Sequence, residues 1–97
     1  MKRIIDILKQ WDFQEKSEGH WHRFITPDSY VVFEVTEKAV VVTFTVLFGD
    51  EEKCQEREVL YMSRLGVIFT MLDLKGVLKY TIIKLVTSVY GRCLFGE

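Results

Sequence analysis

His20 and His22 beside Glu18, the two cysteines Cys54 and Cys93, and four cations near the C-terminus are the residues of this 97-residue chain best equipped for chemistry. On a strand, His20-x-His22 projects both imidazoles from one face, a spacing that some metal sites use. Zinc asks for a third and a fourth ligand, which only Cys54, Cys93 or a carboxylate can supply, and no spacing in the sequence supplies them. The simpler reading is a polar strand face, so the expectation is no metal, with His20 and His22 as the candidates if there is one. A nucleophilic cysteine needs an imidazole nearby to lower its pKa, and nothing places Cys54 or Cys93 beside one. Neither lies in a CxxC pair, which argues against dithiol redox chemistry. A Cys54–Cys93 disulfide stands as the alternative to two thiols, because intracellular disulfides do occur in hyperthermophiles.

Between Leu74 and Gly96 the charged residues are Lys75, Lys79, Lys84 and Arg92, all positive. They read either as the solvated face of one element or as a track for phosphates. The whole chain carries 13 Lys+Arg against 14 Asp+Glu, a net charge of −1, so the basic excess of a general nucleic-acid binder is missing. Glu51, Glu52, Glu56 and Glu58 cluster in and after a charged turn, where solvation explains them more simply than acid–base catalysis. The glycines form no GxGxxG or GxxxxGK[ST] pattern, and no cofactor is expected. Trp21, Phe24, Tyr30 and Phe33 suit either a stacking platform for single-stranded nucleic acid or a core and an interface; the charge balance favours the second.

The elements that must position these groups follow from hydrophobic periodicity. Ile4, Ile7, Leu8 and Trp11 fall at i, i+3, i+4 and i+7, which predicts a helix over residues 2–11. Residues 14–19 are polar, end in glycine and read as a loop. From His20 the period becomes two: His20, His22 and Phe24 share one face, and Trp21, Arg23 and Ile25 the other. Thr26-Pro27-Asp28-Ser29 makes a turn. Val31, Phe33 and Val35 give a second strand its apolar face, and Thr36-Glu37-Lys38 links it to a third over residues 39–48. That third strand is apolar on both faces, so it belongs in a central or doubly covered place. Residues 55–62 read as a fourth strand in preference to a helix. Ser63 then caps a helix of about three turns ending near Gly76, with Leu65, Ile68, Phe69 and Leu72 on its buried side. Val77–Tyr90 is rich in β-branched residues, yet Leu78, Ile82, Leu85 and Val89 fit a helical stripe, and helix is the reading taken. The fold class expected is therefore α+β: one domain over residues 1–97, an antiparallel meander of three to four strands, an N-terminal helix and one or two C-terminal helices.

Composition adds an environment. Hydrophobic residues make up 48% of the chain, ample for a core and, in so short a chain, suggestive of self-association. The sequence contains no Asn, three Gln and a single Ala, with Lys, Glu, Val and Ile abundant, a pattern associated with thermophiles and here with an archaeal or viral source. Lys2, Arg3, Asp6 and Lys9 interrupt what a signal peptide would keep apolar, and residues 39–49, the longest uncharged run, fall far below the ~20 residues of a membrane span. The expectation is a cytoplasmic protein without a membrane partner.

The stretch from Lys2 through Glu34, with its helix, Phe13, Gly19-His20-Trp21-His22, Phe24 and Pro27, loosely resembles the N-terminal half of HicA-like mRNA interferase toxins. The resemblance implies a double-stranded-RNA-binding-like sheet and a catalytic histidine, for which His20 is the matching position. The family's serine is absent here, and the chain from Thr43 onward departs from the family. The preferred expectation is thus a small non-enzymatic, homo-oligomeric interaction protein. The alternative is an RNA-binding or ribonuclease module using His20 with Lys75, Lys79, Lys84 and Arg92.

Overall fold

The computed structural model describes residues 1–49 and 52–94, without the side chains of residues 52, 93 and 94. Helix α1 (Lys2–Gln10) buries Ile4, Ile7 and Leu8, the stripe that periodicity marked. It ends where Asp12 takes a positive φ of 63°, a left-handed conformation that Asp tolerates better than most residues. The backbone N–H of Phe13 then bonds back to the Leu8 carbonyl at 2.9 Å, and the reversal drops the Phe13 ring edge-on against Phe33 at 5.1 Å.

Five antiparallel strands follow in a meander of order β1-β2-β3-β4-β5: β1 (Gln14–Ser17), β2 (His20–Thr26), β3 (Ser29–Val35), β4 (Ala39–Phe48) and β5 (Glu52–Tyr61). The expected antiparallel α+β fold is present, with one strand more than the sequence indicated. The extra strand is β1, inside the stretch read as a loop. All four of its residues are exposed, so no apolar alternation marks it; pairing with β2 makes it a strand.

In β3 and β4, Val31, Phe33, Val35, Val40, Val42, Phe44 and Val46 are all buried. Cross-strand register opposes Val31 to Phe44, Phe33 to Val42 and Val35 to Val40, so both strands aim their large side chains at the same face. Both long helices pack there. The second face of β4, with Val41, Thr43 and Leu47, receives none of the described helices.

The C-terminal region departs from expectation in one respect. In place of one helix from Ser63 to Gly76 there is a single turn, α2 (Met62–Leu65), and then a 24-residue helix, α3 (Met71–Leu94), that runs through Gly76 and Val77. The Thr70 hydroxyl accepts the Asp73 backbone N–H at 3.0 Å, so Thr70 caps the N-terminus of α3. Thr70-x-x-Asp73 is the sequence pattern of that boundary. The correction changes which side chains are inside. Leu65 is buried and Ile68 half-buried, but Phe69 and Leu72 are exposed. The inner stripe of α3 is Leu74, Leu78, Thr81, Leu85 and Val89, and the Thr81 hydroxyl is satisfied by the Val77 carbonyl at 2.9 Å. No described helix is long and apolar enough to cross a membrane.

Gly19, between β1 and β2, has φ +78°, and a Cβ there would sit 3.0 Å from the Val35 carbonyl oxygen, whose own backbone N–H bonds to the Gly19 carbonyl. Gly49 shares the positive φ, at +71°, but has open space around it. Gly19→Ala is therefore expected to lower stability by about 1–2 kcal/mol and by more than Gly49→Ala, because only Gly19 adds a clash to the unfavourable φ. Urea denaturation midpoints read this out; equal losses would contradict the close approach at Gly19.

Candidate binding surfaces

The alternation of β2 sends His20, His22 and Phe24 to the sheet face away from the helices, opposite Glu34, Val32 and Tyr30 of β3. The His20 Nδ1–H donates to the Glu18 carbonyl at 3.0 Å, and Nε2 lies 3.7 Å from a Glu34 carboxylate oxygen. Both ring nitrogens thus face acceptors, and the pair is nearly half exposed. The His22 ring stacks parallel to Tyr30 with centroids 6.5 Å apart, and Phe24 tilts against the same tyrosine at 5.3 Å. Desolvation by neighbouring side chains lowers the His22 pKa from the ordinary 6.5, and the positive charge of His20 and of Lys16 lowers it further.

These neighbours show what the open face can do chemically. Among the described residues, no three His, Cys, Asp or Glu side chains gather closely enough to hold a metal ion. Cys54 cannot serve His20 or His22 as a nucleophile. Its cross-strand neighbour is the buried Val46, which places it on the helix side of the sheet. The expected Cys54–Cys93 bridge involves a side chain, that of Cys93, outside the described residues. Towards β5 the open face sinks into a shallow depression of about 250 Å³ whose walls include Tyr30, Glu34, Thr43, Gln55 and Arg57. It is polar and bears charges of both signs.

The C-terminal cations lie elsewhere. Since α3 covers the core face, Lys75, Lys79, Lys84 and Arg92 are on the side of the sheet opposite His20. Two of them are engaged within the chain. Lys84 Nζ sits 3.0 Å from Glu58, and Arg92 donates to Glu56 at 2.6 Å and to the Gln55 carbonyl at 2.8 Å. Ser88 also donates to Glu56, at 3.2 Å. The alternation of β5 explains this: Glu56 and Glu58 oppose Phe44 and Val42, so both carboxylates point to the helix side. Glu51 lies outside the described residues, as does the Glu52 side chain.

A second surface is not marked by the sequence reading, which places Phe69 and Leu72 on a buried side and gives Tyr80 and Ile83 no role. Along the outer side of α3 and the turn before it, Phe69 is 93% exposed, Leu72 78%, Tyr80 66% and Ile83 56%. Beside them a groove of about 330 Å³ runs between α3, α1 and β2, walled by Trp11, Ile25, Lys79 and Ile83. The signal available from sequence was the second apolar stripe of α3, half a turn from the first. No known family, curated protein or solved structure matches the chain. The resemblance to HicA-like toxins therefore stands on the residues of Lys2–Glu34 alone.

Two predictions follow from the paired and stacked side chains. In an NMR titration His22 should protonate below pH 6.5, and Lys16→Ala should move its midpoint upward. Because the folded state holds this proton less tightly than the unfolded state, His22 subtracts stability as pH falls through the unfolded imidazole value towards its own folded midpoint. A His22 midpoint above the unfolded value would contradict the desolvated geometry. Removing the Arg92 guanidinium (Arg92→Ala) should cost about 1–2 kcal/mol of unfolding free energy, whereas a solvated surface cation would cost almost nothing.

Proposed function

We propose that the chain is a small non-enzymatic interaction protein that works as a homo-oligomer. One observation carries this reading: a row of large apolar side chains, Phe69, Leu72, Tyr80 and Ile83, lies open to solvent along a helix whose opposite side already completes the core. Isolated exposed apolar residues are ordinary on protein surfaces, but several large ones along one side of a helix suit an association surface. The open sheet face supports the reading less well. Its valines are partly shielded, and Glu34, Arg57, Thr43 and Gln55 surround them with polar groups.

The geometry supports the RNA-binding or ribonuclease reading less well. It needs His20 and the C-terminal cations on a common side, and the sheet separates them. Two of those cations, Lys84 and Arg92, are also held by carboxylates of β5.

Light scattering on the eluting peak of a sizing column, over a series of protein concentrations, tests the proposal. The expected result is a mass of at least two chains that falls towards one on dilution. A mass of one chain throughout the series would remove the proposal.

A further inference from the structure

The outer side of α3 carries more information than its hydrophobicity. On a helix with 3.6 residues per turn, Leu72, Gly76, Ile83 and Thr87 project together, about 180° from the inner stripe of Leu74, Leu78, Thr81, Leu85 and Val89. Tyr80 flanks this outer stripe on one side and Lys79 on the other. Gly76 lies close to its centre. A glycine inside an exposed helix is less favourable than alanine because it loses more backbone freedom on folding. Nothing among the described residues requires it: Gly76 has an ordinary helical φ, and apart from its chain neighbours and the helix's own backbone no atom lies within 4 Å of where its Cβ would stand. A gap between large apolar neighbours has a use if another backbone or side chain enters it from outside.

We infer that the outer stripe of α3 is the interface of a two-fold symmetric dimer, in which α3 of a second copy packs antiparallel with its Ile83 seated over Gly76. The inference rests on the self-association proposed above and specifies its surface and register. The spacing is self-complementary. With the two-fold axis between positions 79 and 80, Gly76 faces Ile83 of the second copy and Leu72 lies beside its Thr87, so each large side chain meets a small one. The symmetry operation repeats both contacts, and knobs fill holes four times. Tyr80 meets Tyr80 of the second copy on one flank of the axis, where aromatic rings can stack in offset. On the other flank the two Lys79 stems lie over apolar surface with their ammonium groups in water. A parallel pairing fails by the same sizes, because Gly76 would face Gly76 across a void while Ile83 collided with Ile83. From Leu72 to Thr87 the contact runs about 22 Å at 1.5 Å per residue. Phe69 extends it at one end of each helix, and Ile25 across the groove is available at its side.

A size swap tests the register. Gly76→Leu and Ile83→Asp each alter a side chain that is exposed in the monomer, so circular dichroism should show an unchanged fold for both. Each is expected to weaken the dimer about tenfold or more by light scattering. Gly76→Leu combined with Ile83→Ala restores the large-against-small fit and should recover most of the wild-type association. If the wild type self-associates and both single variants associate equally well, this interface is wrong while self-association survives on another face. If the single variants dissociate and the double variant does not recover, the antiparallel register is wrong. A wild type that is monomeric throughout overturns both this inference and the proposal beneath it.

Discussion

The pairing register of β3 against β4 is the constraint on which the remaining structure depends. Val31, Phe33 and Val35 oppose Phe44, Val42 and Val40, and all six are buried. Side chains alternate with a period of two, so a slip of one residue would send the whole set into water. Such a slip exposes several residues that each contribute about 1.5–3 kcal/mol when buried, which no other term in a domain this small can offset. The turn at Thr26–Ser29 reinforces the choice, with the Thr26 and Ser29 hydroxyls 2.8 Å apart. So does the one at Thr36, whose hydroxyl donates to the Ala39 carbonyl at 3.0 Å. Once this register is fixed, the rest of each strand has no freedom: His20 must face away from the helices, and Glu56 and Glu58 must face them.

The charges follow from that geometry. On their own helix the cations of α3 meet one described acid, Asp73 in the first turn, and in isolation they look like an anion-binding track. The carboxylates that balance Lys84 and Arg92 come from alternate positions of β5, 26 and 36 residues earlier, on the strand that α3 crosses. A single partly exposed pair such as Lys84–Glu58 contributes little by itself, whereas Arg92 makes several bonds at once. The geometric effect is larger still, since Arg92 reaches three successive residues of β5, Cys54, Gln55 and Glu56, and fixes where the last turns of α3 lie along the edge strand. A near-neutral chain with segregated runs of charge therefore signals internal pairing as readily as an external partner.

The strongest periodicities were legible in the sequence. α1, the faces of β2, β3 and β4, both hairpin turns and the helical stripe of Leu78, Leu85 and Val89 were all readable before the structure. Three features were not, each for a physical reason. β1 is a strand only because β2 offers it hydrogen bonds, and a polar, fully exposed strand leaves no alternation to read. The boundary between α2 and α3 turned on the Thr70 hydroxyl, a single capping bond outweighed in the sequence by the apolar residues around it. Phe69 and Leu72 were assigned to the core because burial is the usual fate of such residues, and only the break at Gly66–Thr70 rotates them outward. As for the candidate site, the shared face of His20 and His22 could be read from period two alone. The distance between that face and the C-terminal cations could not, because it depends on which side of the sheet α3 covers.

This last point also explains why α3 was hard to assign. A helix with one apolar side announces itself by its moment, whereas α3 places leucines and valines inward and Leu72, Tyr80 and Ile83 outward, so its pattern approaches that of a buried strand. A helix apolar on both sides is usually covered on both sides. In this chain the sheet covers one. The sheet cannot reach the other, α1 lies alongside, and the groove beside Ile25 leaves the stripe open. The ambiguity that blurs the secondary structure and the exposure along α3 have the same origin, a helix that is apolar on two sides, of which the described chain covers one.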